Sequence, residues 1–192
     1  MEKRSLSAPS IGAWTKYTFY GWFLGVALVL ALSSTLDAMG IEGMQFYLGL
    51  GMGGGIGSLQ WLLLKKHGGI ALKWVGYLVL GLTLPFLVVD VFLTSIVPYK
   101  LGICVAFGAL LSGGLQIFAL REVSPKANMW LVYAFLGWIL ALGCLLAIDY
   151  TTFLSFYLNN LVLALINLFL ILAAGVLLGA VTGIGINKIL DT

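Results

Sequence analysis

Six apolar stretches, at roughly 17–36, 44–64, 74–97, 100–120, 128–148 and 159–187, occupy most of this 192-residue chain. Each is long enough for a helix to cross about 30 Å of hydrocarbon at about 1.5 Å per residue. The linkers between them are short, so successive helices run antiparallel and no separate soluble domain is left over. Only 9% of residues are charged and 61% are hydrophobic, whereas a soluble domain is about a quarter charged. A chain so poor in polar groups cannot cover its own apolar surface in water. The expected fold is all-α, a polytopic membrane protein with six transmembrane helices in one domain, 1–192.

Charge placement orients it. Lys3, Arg4 and Lys16 precede the first stretch, and Lys65, Lys66 and Lys73 lie between the second and third. Arg121 and Lys126 lie between the fourth and fifth, and Lys188 ends the sixth; only Lys100 falls opposite. The positive-inside rule puts the basic side, and both termini, in the cytoplasm. A net charge of +3 distributed in this way is no sign of nucleic-acid binding. The first stretch is too long for the h-region of a signal peptide and is expected to remain as a helix.

The odd-numbered stretches begin alike: Trp14-x-x-Tyr17-x-x-x-Gly21, Trp74-x-x-Tyr77-x-x-x-Gly81 and Trp130-x-x-Tyr133-x-x-x-Gly137. Against overall composition, a given Trp would start this pattern with a probability on the order of 0.005. The even-numbered stretches carry small residues every fourth position: Gly49, Gly53 and Gly57; Ala109 and Gly113; Gly175, Gly179 and Gly183. Internal duplication explains both patterns, with two-helix repeats at about 14–66, 74–122 and 130–188. The small-residue stripes are read as packing surfaces, because lipid gives helices little hydrophobic reason to associate. The second stretch carries another stripe, Gly51 and Gly55. This predicts even helices at the centre, odd helices outside, and Trp14, Trp74 and Trp130 as anchors in the cytoplasmic aromatic belt.

Three polar residues are candidate ligand contacts. Gln60 and Gln116 each follow the last small residue of a stripe by three positions; Ile186 takes that place in the third copy, beside Asn187. They read either as a polar ring for a headgroup, solute or partner, or as interhelical hydrogen bonds. Asp90 lies in an apolar run, where a carboxylate costs about 2.5–3.5 kcal/mol at mid-membrane. It stands sixteen residues past Trp74, about 24 Å along a helix, and so nears the outer interface. Pro85 is expected to kink its helix, and Asn167 and Thr83 are read as packing hydrogen bonds. His67, the single histidine, reads as a loop residue. One histidine offers no bis-histidine haem and no metal cage, and Cys104 and Cys144 read as small core residues.

Two motif matches are set aside. Gly49-x-Gly51-x-x-Gly54 lies inside an apolar span, not between a strand and a soluble helix as a dinucleotide site requires. Leu-Leu-Ser112-Gly113-Gly114 has no intramembrane histidine to activate its serine.

The runs Gly53-x-x-x-Gly57-x-x-Gln60-Trp61 and Trp130-x-x-Tyr133-x-x-x-Gly137-Trp138 resemble helix hairpins of uncharacterised bacterial multi-pass membrane proteins. The resemblance covers most of the chain, carries no activity, and implies a bacterial inner (or thylakoid-like) membrane. In size, helix number and the spacing Gly21-x-x-x-Gly25, the chain is also similar to substrate-binding subunits of energy-coupling-factor transporters. Abundant packing surface and little chemistry point to a non-catalytic membrane subunit that packs against or stabilises a larger complex. Membrane lipids and other membrane subunits are its expected partners. No cofactor is expected, though a lipid or pigment between helices is compatible with the sequence. The alternative is a small-solute transporter or its binding subunit.

Overall fold

A computed structural model describes residues 8–41, 43–68, 70–93 and 99–191. They form six long helices: α1 (Ile11–Ala38), α2 (Phe46–Gly68), α3 (Lys73–Phe92), α4 (Lys100–Leu120), α5 (Trp130–Thr151) and α6 (Asn160–Leu190). Short 3-10 turns at Pro125–Met129 and Thr152–Phe156 flank α5. Among the described residues there is no strand. Five helices, α1, α3, α4, α5 with its leading turn, and α6, are long and apolar enough to cross a membrane. The chain is therefore a helical multi-pass integral membrane protein. α2 falls outside those five because glycines and Gln60 dilute the apolar residues along its length.

Local signals set the helix ends. Ser10 accepts the Ala13 N–H at 3.1 Å, an N-cap that starts α1 early enough to take Lys16 into the helix. Asn159 caps α6 in the same way through the Val162 N–H, at 2.9 Å. α3 continues as a helix through Pro85. The final part of the third apolar stretch, 94–97, lies outside the described residues, as do Lys3, Arg4 and Glu42.

Each helix packs against its two neighbours in sequence, and α6 closes onto α1. The six helices form a ring, which corrects the expectation of central even helices and peripheral odd ones. The glycines explain the difference, since the two stripes of α2 face two different helices. A Cβ at Gly49 would lie 2.5 Å from Thr83 Cα, and one at Gly53 2.7 Å from Val79 Cα, both on α3. A Cβ at Gly51 would meet Val29 Cγ2 of α1 at 2.6 Å. The odd helices carry flat faces too: Gly21 lies against Ile56, Gly25 against Met52, and Gly81 against Ser112. With small residues on both sides of these seams, the large side chains turn inward to the ring's centre or outward. Phe23, Leu80, Phe107 and Phe169 line the outer surface at 46–68% exposure.

Candidate functional site

The centre of the ring is layered. At the end carrying Lys65, Lys66, Lys73 and Lys188, Trp14, Trp74 and Trp130 point inward and touch one another, with ring centroids 6.3, 6.0 and 5.2 Å apart. They are 0%, 0% and 1% exposed. The expectation that they anchor an aromatic belt is corrected: they plug the lumen. A Trp at the start of a membrane helix suits either role, and the rotation of the helix decides between them.

Each indole N–H donates to the even helix preceding it around the ring. Trp74 Nε1 donates to Gln60 Oε1 (3.3 Å), Trp130 Nε1 to Gln116 Oε1 (2.9 Å), and Trp14 Nε1 to Thr182 Oγ1 (2.9 Å). In the third seam Thr182 replaces a glutamine, one turn before Ile186 on the same face, and Ile186 is packed in the core. Sequence reasoning missed Thr182; the signal was a hydroxyl four residues before the vacant glutamine position. Asn187 Nδ2 donates instead to Pro9 O at 3.3 Å.

The two glutamines differ in one respect. Gln60 Nε2 donates to Thr18 Oγ1 of α1 at 3.1 Å, whereas Gln116 Nε2 is buried without a partner. Thr18 is four residues past Trp14, and the matching position past Trp74 is Leu78, which has no acceptor. A threonine there should supply it. In a double-mutant cycle of Leu78→Thr with Gln116→Leu, the favourable coupling should be about 0.6 kcal/mol, the average for interhelical membrane hydrogen bonds. Additivity in reversible unfolding would show that position 78 does not face the amide.

Two turns further in, Trp22, Leu82 and Trp138 make a second layer, with the two indoles 6.4 Å apart. Beyond it lies a cavity of about 230 Å³ to which all six helices contribute, among them Val26, Met52, Phe86, Val105, Leu142 and Ile171. Its lining is hydrocarbon and thioether apart from the two indoles.

Asp90 stands at the opposite end from the basic residues. Its carboxylate accepts the Gln45 and Phe46 N–H groups at 2.6 and 2.9 Å, so it caps α2 from α3, where the helix dipole favours a negative charge. Asp90→Ala should destabilise the protein by about 1–3 kcal/mol through two unsatisfied N–H groups. Asp90→Asn keeps an acceptor and should cost under about 1 kcal/mol. Comparable costs for the two variants, in chemical or thermal unfolding, would refute the capping role.

The remaining candidates are distributed elsewhere. Thr151 donates to Asn167 Oδ1 at 2.8 Å, joining α5 to α6. Thr83 Oγ1 has no partner, contrary to expectation, and Thr83 serves instead through its backbone, against Gly49. His67 lies in the last turn of α2, not a loop, with Nδ1 3.0 Å from Leu63 O. Lys73 pairs with Glu122 across the same end. Cys104 is buried and Cys144 half-buried, both as free thiols. Among the described residues no three His, Cys, Asp or Glu side chains converge.

The stripe residues occupy the seams within the chain. Gly57 faces Val75, Gly113 faces Leu131 and Ala134, Gly175 faces Trp22, Gly179 faces Thr15, and Gly183 faces Trp14 and Ile11. Ala109 is fully buried in the layer of Trp22 and Trp138.

No family model matches the chain, and no curated protein or solved structure matches it significantly.

Proposed function

We propose that this chain is a six-span, non-catalytic membrane protein that holds a small hydrophobic molecule in its central cavity. In this reading it consists of three tandem two-helix repeats, with both termini on the cytoplasmic side of a bacterial inner membrane. The observation that carries the function is the cavity itself: apolar, built by all six helices and floored by two layers dominated by tryptophan. The matching Trp-to-acceptor bonds in three seams support the repeat. The grouping of basic residues at the plugged end supports the orientation.

Specific contacts favour this reading over two others. The transporter reading rested on the repeat together with Asp90, Gln60 and Gln116. Asp90 caps a helix, both glutamines accept indole N–H groups, and three buried indoles in mutual contact occupy the centre of the ring. The idea of a packing subunit in a larger complex rested on abundant packing surface and little chemistry, and the small-residue stripes that supplied the packing surface face helices of this same chain.

Native mass spectrometry of the protein, extracted gently from its own membrane, tests the proposal. The expected result is a stoichiometric hydrophobic adduct that Val26→Phe, which fills the cavity, removes. A protein that carries no adduct, or that carries only a second polypeptide, would overturn it.

A further inference from the structure

The cavity has a floor of indoles, and one of its walls is incomplete. Near the basic end α1 and α6 meet backbone to backbone. A Cβ at Gly179 would lie 2.9 Å from Thr15 Cα, one at Gly183 3.3 Å from Ile11 O, and one at Gly175 2.9 Å from Trp22 Cγ. Past Trp22 and Gly25 burial falls away on both helices. No residue of α1 beyond Gly25 is buried, and none of α6 before Ala174. The cavity is bounded there by Val26, Val29 and Leu30 on one side and Ile171 on the other. Leu30 both lines the cavity and is 63% exposed on the outer surface.

The other seams are tied at the same level. Gly25 lies against Met52 between α1 and α2, and Gly49 against Thr83 between α2 and α3. Phe86 and Val89 of α3 pack with Cys104 of α4 in a buried cluster, and Gly102 faces Leu142 between α4 and α5. The Thr151–Asn167 hydrogen bond joins α5 to α6.

We infer that the cavity takes an acyl chain of a membrane lipid, entering sideways between the C-terminal half of α1 and the N-terminal half of α6. The inference rests on the hydrophobe-holding reading above and names its ligand and route. The opening faces the belt of exposed apolar side chains, so hydrocarbon is the medium at its mouth. A volume of about 230 Å³ is below the roughly 300–1,000 Å³ of pockets for drug-sized ligands. It suits a narrow chain and excludes a pigment macrocycle. Trp22 Nε1 is buried without a partner, but no charged or hydroxyl side chain lines the cavity, so the headgroup stays at the surface. Moving a chain from bilayer to cavity gains little hydrophobic free energy, because lipid tails are as apolar as leucine. The gain is dispersion contact for walls that otherwise face a void.

The test uses the full chain reconstituted in phosphatidylcholine vesicles whose lipid carries a diazirine on one acyl chain, either near the methyl end or near the headgroup. Adducts are mapped by peptide mass spectrometry after photolysis. The methyl-end probe should label Val26, Met52 and Leu142, and the headgroup-proximal probe Leu30 and Ile171. Val26→Phe and, separately, Leu145→Phe should reduce interior labelling several-fold while labelling of Phe107 and Phe169 on the outer surface persists, which reports an intact fold. Adducts confined to the outer surface would overturn the inference. Headgroup-proximal adducts at Leu48 and Leu101, in the first turns of α2 and α4, would overturn the lateral route. A hydrophobic adduct in native mass spectra without interior photolabelling would sink this inference alone; absence of both would sink the parent reading as well.

Discussion

Trp130→Ala should destabilise the protein by about 3–5 kcal/mol, the range for truncating a buried tryptophan. The ring is 1% exposed and lies 6.0 and 5.2 Å from the rings of Trp14 and Trp74. Its removal opens a void among buried side chains and forfeits two aromatic contacts of about 0.5–1.5 kcal/mol each. It also strands Gln116, whose Nε2 already lacks a partner and whose Oε1 would then lose the indole. Trp130→Phe separates these effects. It keeps an aromatic ring in the cluster but removes the donor and part of the indole's volume, so it should cost less than Trp130→Ala yet at least about 1–3 kcal/mol, the penalty for an unsatisfied buried group. Trp61→Ala is the control. Trp61 is half-buried with the Lys65 ammonium 5.2 Å above its ring, and its cation–π contact is worth about 0.5–1 kcal/mol at an exposed site. Reversible unfolding in mixed micelles gives all three values. If Trp130→Ala costs no more than Trp61→Ala, the tryptophan is an interface anchor and the plug does not exist.

That contrast shows how far the sequence could be read. The repeated Trp-x-x-Tyr-x-x-x-Gly spacing picked out Trp14, Trp74 and Trp130, and the continuation of the glycine stripes picked out Gln60 and Gln116. It did not show that the two sets bond to each other. Gln60 and Trp74 are fourteen residues apart, as are Gln116 and Trp130, but each separation crosses a turn whose geometry decides which faces meet. Thr182 was hidden further, since its partner Trp14 lies at the other end of the chain. The two stripes of α2 showed that two faces are crowded without naming the neighbours, so a ring and a central cluster read alike. Asp90 reads as a costly intramembrane carboxylate until the start of α2 is seen beside it, 44 and 45 residues away in sequence. The cavity is the least legible feature: Val26, Phe86 and Leu142 look like ordinary lipid-facing residues until their helices enclose a space.

Gly53→Leu should have an effect of similar size through a different cause. A Cβ at Gly53 would stand 2.7 Å from Val79 Cα and 3.0 Å from Val79 N, and backbone of a neighbouring helix cannot rotate aside as a side chain can. α2 and α3 would have to separate, pulling the start of α2 away from Asp90 and Gln60 from Trp74. Overpacking typically costs about 1–3 kcal/mol; with backbone as the obstacle, about 3 kcal/mol or more is expected, with loss of a monodisperse species in gel filtration. Gly143→Leu supplies the comparison. Gly143 is exposed on α5 with nothing within 4 Å of its would-be Cβ, and leucine is a better helix former than glycine by about 0.8–1.0 kcal/mol at most. In a protein that functions on its own, this variant should fold at least as well as the parent. Equal damage from both substitutions would mean that a second polypeptide packs where Gly143 faces outward. The outer surface of α5 around Gly143 would then be an interface, and the reading of the chain as a subunit of a larger membrane complex would regain the support that the seam-facing stripes took from it.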